Sequence, residues 1–347
     1  MCRQFKGASS VDSFDSENIQ NPTTFEFGNI GEVHPKGKLM KFGLGIFLLC
    51  SFTLTSISAS GEIMLTPIPV AENVYAFIGD TGMRTSANEG MNANSGFIVT
   101  GAGVIVVDSG PTWQVAEAIH RAITTVTQQP VKIVVNTGDQ DHRWLGNGYF
   151  KSLGAEIIAV RPALADMRER GSAQLDNLRQ ILGNKAVATQ PVYPDRYFDQ
   201  SETLHLGDEE IQLLYFHGGH TPGDSVVWLP KKSVLFAGDL VFVDRLLGVF
   251  PFSNTQNWLD SFAAMEKLKP KLIVPGHGKV CDLAQAKHDT GDYLQLLHDH
   301  MAKAVKDWVD METAINSLND DAYRSLHNFD SLHRFNASNV YLELEKQ

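Results

Sequence analysis

Imidazole and carboxylate side chains recur at the ends of apolar runs in four places. NTGDQDHRWLGNGYF, Asn136 to Phe150, follows the run Val131 to Val135, and HGGHTPGDSVVWLP, His217 to Pro230, follows Ile211 to Phe216. VLFAGDLVF, Val234 to Phe242, puts Asp239 directly after a buried run, and IVPGHGKV, Ile273 to Val280, sets His277 between two glycines. Histidine and carboxylate are ligands for zinc-like ions. Glycine lets the backbone turn sharply and approach a site closely, and the carboxyl end of a strand is where α/β proteins gather their chemistry. Convergence of four such tips on one metal site explains this pattern better than coincidence does. Asp239 supports it separately, because a charge aimed into apolar surroundings needs a cation. His220 and His277 are the stronger imidazole candidates. His217, beside a Gly-Gly turn, reads as a loop histidine bonded to backbone, and the remaining histidines fall on helices or polar connections. The opening stretch looks like a ligand segment that has lost ligands, with Gly138 where an imidazole is expected.

The elements that must position these tips alternate along the chain. Strands are expected at Val74 to Ile78, Phe97 to Val99, Val104 to Val107, Val131 to Val135, Glu156 to Val160, Ile211 to Phe216, Val226 to Leu229, Val234 to Ala237 and Leu272 to Val274. Helical spacing marks Trp113 to Thr127, Leu145 to Leu153, Ala163 to Leu182, Trp258 to Leu268 and Leu283 to Lys306. This mixture of hairpins and strand-helix units predicts a layered α/β domain with two sheets inside and helices outside. The organisation read from it is a leader over residues 1–60, a catalytic domain over 61–282 and a helical C-terminal extension over 283–347. Met83 to Asn94, rich in Asn and small residues, is a candidate flap over the site. Trp144 reads as core.

Composition narrows the function classes. The 347-residue chain is 43% hydrophobic, enough for a real core, and carries a formal net charge of -11. Residues 1–60 hold five basic and five acidic side chains, so the whole excess lies beyond Ser60. An acidic body argues against nucleic acid, whose affinity comes from Lys and Arg releasing counterions. Met40 to Ser60 has a lysine flank, an apolar run from Phe42 to Leu54 and small residues at its end, which is the architecture of a cleaved secretory signal. That run is shorter than the ~20 residues of a spanning helix. The expectation is a periplasmic or secreted protein with no stable membrane span after signal removal. Cys281 is the one cysteine beyond the leader, so no intramolecular disulfide framework is expected.

GHTPGD, GDLVF and PGHG closely resemble three motifs of the metallo-β-lactamase-fold hydrolases, over roughly Leu65 to Asp282. QDHRWLGN, EGMNANSGF and GDLVFVDRLLGV are similar to segments of an exported bacterial subgroup of that family. The resemblance implies a four-layer αββα sandwich and a zinc-dependent hydrolase of a small ester, thioester, lactone or lactam. The implied metal ligands are Asp141, His142, His220, Asp239 and His277. Asp141 and Asp239 would be the catalytic pair that ligates or orients the attacking water. The family's fourth motif, His-x-His-x-Asp-His, departs here, and two alignments are open. Anchoring on Asp-His keeps Asp141 and His142 in place, with Thr137 and Asp139 at the first two histidines. Anchoring on the flanking Asn136-Thr137 and Leu145-Gly146-Asn147 puts Gly138 and Gln140 at those histidines, His142 at the aspartate and Arg143 at the last histidine. Both alignments damage the first ion site, so of the one or two zinc ions at most one is expected to bind tightly. Asp139 and Gln140 are additional candidates around the ion, and Arg143 is a candidate for a substrate anion or a structural ion pair. The rival expectation is a metal-poor, non-hydrolytic binding or relay protein on the same fold.

Overall fold

The computed structural model describes residues 63–346. The polar leader and the signal-like segment Met40 to Ser60 lie outside the described residues. The first sheet has seven strands in sequence order: β1 (Ile68–Ala71), β2 (Val74–Phe77), β3 (Ser95–Thr100), β4 (Gly103–Val107), β5 (Val131–Asn136), β6 (Glu156–Val160) and β7 (Arg196–Phe198). Its first four strands pair antiparallel, and β4 to β7 pair parallel. The second sheet runs β8 (Ser201–Leu206), β9 (Glu209–Leu214), β10 (Val226–Leu229), β11 (Val234–Phe242) and β12 (Leu272–His277), of which only the β11/β12 pair is parallel.

Strand sequences report their place in these layers. GVIVV of β4 is buried at every residue, as a strand covered on both faces must be. EEIQLL of β9 alternates buried and half-buried. Ile105, Val107, Val135 and Ile158 of the first sheet meet Val227, Phe236 and Val274 of the second in one core. On the outer face of the first sheet, Val104, Val106, Val134 and Ile157 pack on Val115, Ile119 and Ile123 of helix α1 (Trp113–Thr124). Thr112 caps α1, its hydroxyl accepting from the Val115 amide at 3.0 Å. After β5 come two short helices, α2 (Asp141–Trp144) and α3 (Asn147–Ser152), and after β6 the long α4 (Arg161–Leu182), whose Leu175, Leu178 and Leu182 join the inter-sheet core.

The outer face of the second sheet is covered by α5 (Thr255–Glu266) and by the C-terminal helices α6 (Leu283–Ala286), α7 (Tyr293–Lys306), α8 (Met311–Asn316) and α9 (Phe329–Glu345). Leu235, Val241 and Ile273 there pack on Trp258, Phe262, Leu297 and Val340. The result is the expected αββα sandwich.

Two features differ from the sequence reading. β1, β7 and β8 carry no long apolar run, because edge strands bury little and need none. β11 and β12 run further than expected, so Asp239 lies inside β11 and His277 ends β12. The β11/β12 register shifts on either side of Gly238, which has φ +51°, a conformation that glycine adopts without steric cost.

Candidate metal centre

His142, Asp239 and His277 offer donor atoms that all lie within 4.8 Å of one another, and all three side chains are buried. His142 Nε2 is 3.1 Å from Asp239 Oδ2, and His277 Nε2 is 3.2 Å from Asp239 Oδ1. Zinc holds nitrogen and oxygen at about 2.0–2.1 Å, which at tetrahedral angles sets its ligands roughly 3.3 Å apart. The two histidine–aspartate separations therefore fit. So does the arrangement of lone pairs. His277 Nδ1 stands 2.5 Å from the Asn92 carbonyl, which can only accept, so the ring's proton sits on Nδ1 and Nε2 is bare. A bare nitrogen facing a carboxylate oxygen is unfavourable unless a cation stands between them. A proton is a poor choice, because burial drives the His277 pKa down to about 3 against the opposing pull of Asp239.

Asp239 is held from behind. Arg143 Nε donates to Oδ2 at 3.1 Å, and one terminal nitrogen of the same guanidinium closes on Oδ1. The other terminal nitrogen donates to Asp108 Oδ2 at 3.0 Å and to the Asn94 carbonyl at 2.9 Å. Asp108 follows β4 with φ +62° and accepts from both the amide and the hydroxyl of Thr137, each at 2.7 Å. Burial would raise the Asp239 pKa, but Arg143 and then His142 outweigh it and hold the carboxyl well below the usual range. Gly276 makes this packing feasible, since a Cβ there would stand 2.5 Å from Asp239 Oδ1.

His220 is placed differently. Its Nδ1 bonds the Gly248 carbonyl at 2.8 Å, and its Nε2 meets the amide nitrogen of Gln140 at 2.7 Å. Phe242, Phe250 and Trp258 surround the ring edge-on, and burial lowers its pKa to about 4. His142, His220, His277 and Gln140 line one cavity of about 180 Å³, together with Arg84, Arg245 and an apolar set that includes Met83, Phe250 and Leu332.

Comparisons with known proteins bear on the family and the fold. The Metallo-beta-lactamase superfamily profile matches residues 88–277, more than half of the chain. The chain belongs to the metallo-beta-lactamase superfamily. It is 25% identical over 266 residues to metallo-beta-lactamase type 2 of Elizabethkingia meningoseptica, covering 74% of this chain and 95% of that relative. To metallo-beta-lactamase IND-1 of Chryseobacterium indologenes it is 25% identical over 249 residues, covering 69% of this chain and 92% of the relative. The fold matches a metallo-beta-lactamase from Pontibacter korlensis with a TM-score of 0.53 at 22% identity, covering 67% of this chain and 99% of that one. Membership places the chain among metal-dependent hydrolases, for which zinc is the usual ion.

Within this superfamily member the expected site residues divide. His142, Asp239 and His277 come together, and His220 lines the same cavity with its Nε2 engaged by Gln140. Asp141 does not join them. Its carboxylate pairs with Arg84 and accepts the His142 amide at 2.9 Å, and Arg84 and His142 overcome burial to keep its pKa far below the usual range. Asp139 also turns away, accepting from the Gly223 amide at 3.0 Å and from Arg170 at 3.2 Å, with a pKa that burial and Asp166 push up to about 8. Arg143 is 1% exposed and spent on Asp108 and Asp239, so its place is structural and not at a substrate anion. His217 is exposed and Trp144 is fully buried.

Four contributors went unread in the sequence. Asp108 ends VIVVD, the same strand-then-aspartate pattern that singled out Asp239. Asn92 and Asn94 sit in the segment read as a flap, and Arg245 lies six residues after Asp239; the resembling segments EGMNANSGF and GDLVFVDRLLGV contain all three, but nothing in their spacing singled them out.

Proposed function

We propose that the chain is an exported hydrolase of a small acyl compound, an ester, thioester, lactone or lactam, that works with one zinc ion held by His142, Asp239 and His277. The observation that carries this reading is the His277 ring, whose proton is spent on Asn92 while its bare Nε2 faces a buried carboxylate. When bound, zinc supplies Lewis acidity to a carbonyl group and acidifies water. The protein's own part is orientation: Asn92 sets the His277 tautomer, and Arg143 fixes both oxygens of Asp239. A cavity of about 180 Å³ suits a small substrate, since drug-sized ligands fill ~300–1,000 Å³. Arg245 brings positive charge to the cavity wall and makes no ion pair with a carboxylate among the described residues, which favours a substrate that bears an anion. In this reading the loop is aligned by its flanks, because Gln140 meets His220 and His142 meets Asp239. Export rests on Met40 to Ser60 alone.

One observation favours a second reading, a metal-poor binding protein: the Arg143 guanidinium already neutralises Asp239. Elemental analysis of the mature protein, with a panel of acyl substrates assayed before and after chelation, separates the two. The hydrolase reading expects about one zinc per chain and turnover that chelation abolishes and zinc restores. A folded, metal-free protein without turnover overturns it.

A further inference from the structure

We propose that Gln140 closes the first ion location by occupying the one lone pair His220 has to offer, making this cavity a single-ion centre by construction. The inference rests on reading His142, Asp239 and His277 as the metal centre, and it adds what sets the ion count.

The argument is one of donors and acceptors. The Gly248 carbonyl has no proton to give, so at 2.8 Å it must receive one from His220 Nδ1. In the neutral ring Nε2 then carries the only available lone pair, and that atom is the one 2.7 Å from the Gln140 amide nitrogen. The amide donates into the same lone pair that a metal ion would need. The ring cannot rotate to offer a second one, because Phe242, Phe250 and Trp258 pack around it with centroids 5.2–5.5 Å away. The Gly248 carbonyl is itself fixed, since Asn336 and Asn339 of α9 bond the backbone of Leu247 and Val249 on either side of it at 2.8 Å. Gly138 has no side chain to ligate with, and Asp139 turns away to the Gly223 amide and Arg170. A first ion would have to break a buried hydrogen bond to gain one imidazole and would find no second nitrogen ligand there. At the second location the His277 lone pair has no such competitor, because that ring spends its proton on Asn92 and keeps Nε2 bare.

The test uses the mature full-length chain, zinc titration followed by elemental analysis, and long-range ¹⁵N NMR of the histidine rings. Wild type should hold about one zinc, and its His220 ring should show the Nδ1–H tautomer before and after the first equivalent of zinc. H220A should keep its single zinc. The double variant Gly138→His, Gln140→His replaces the amide and adds two imidazoles, and should bind a second ion at least about 100-fold more tightly than wild type does. The proposal is overturned if His220 Nε2 shifts as a ligand on the first equivalent, if H220A loses its zinc, or if the folded double variant gains no second ion. Loss of the metal-centre reading looks different: His277→Ala would then retain zinc while the His220 tautomer stayed locked.

Discussion

Where β11, the end of β12 and α2 meet, Asp239 sits between the rings of His142 and His277, and the His277 ring turns a lone pair towards it in place of a proton. Elsewhere in the same cavity Gln140 and His220 reach a quiet state in which every polar atom of the imidazole has a partner. Both places are buried and both are built on strand tips, so burial and topology do not distinguish them. The proton positions do. A histidine whose Nδ1 is tied to a carbonyl is a ligand only if nothing donates to its Nε2, and by that criterion His277 is open and His220 is taken.

The contrast can be broken at several points. The largest effect is expected from Arg143→Met, which leaves Asp108 and Asp239 buried without their shared cation and should cost about 3–5 kcal/mol in urea unfolding of the metal-free protein. A loss below about 1 kcal/mol would mean that the guanidinium does not hold Asp239. Next comes His277→Ala, expected to weaken zinc retention by more than about 100-fold, since changing groups behind a ligand already costs 10–100-fold. His217→Ala is its control and should leave zinc content unchanged, and equal losses would erase the distinction drawn among the histidines.

A smaller effect concerns pH. Burial lowers the pKa of His220 to about 4 and of His277 to about 3, below the ordinary 6.5, so the unfolded chain takes up these protons first. Their contribution to metal-free stability is fully present above about pH 6.5 and is lost as pH falls towards 4 and then 3. Denaturation midpoints across that range should therefore decline with a slope to which each histidine gives one proton, and His220→Gln and His277→Gln should each remove one. Slopes unchanged from wild type in both variants would contradict the buried, neutral rings.

The αββα architecture was largely legible in the sequence because apolar runs at strand length and helices at 3.6-residue spacing report burial directly. β7 and β8 were not, since RYF and SETLHL lie at sheet edges where the residue pattern is weak. Within the site, Asp239 and His277 were legible from glycine and apolar context. Arg84 and Asn92 were not, because what matters is a pairing with Asp141 and with His277, 57 and 185 residues away. The C-terminal segment offered no functional signal either. Its Asn336 and Asn339 nevertheless hold the backbone on which His220 rests.

The residue types alone determined that imidazoles and carboxylates would gather at strand ends, and that the loop from Asn136 to Asn147 had lost ligands, because Gly138 and Arg143 have no lone pair to give a metal from their side chains. Only the tertiary structure decided which neighbour joins Asp239 and His277. Successive residues on a helix turn by about 100°, so in α2 Asp141 swings out to Arg84, His142 reaches Asp239, and Arg143 passes behind it to Asp108.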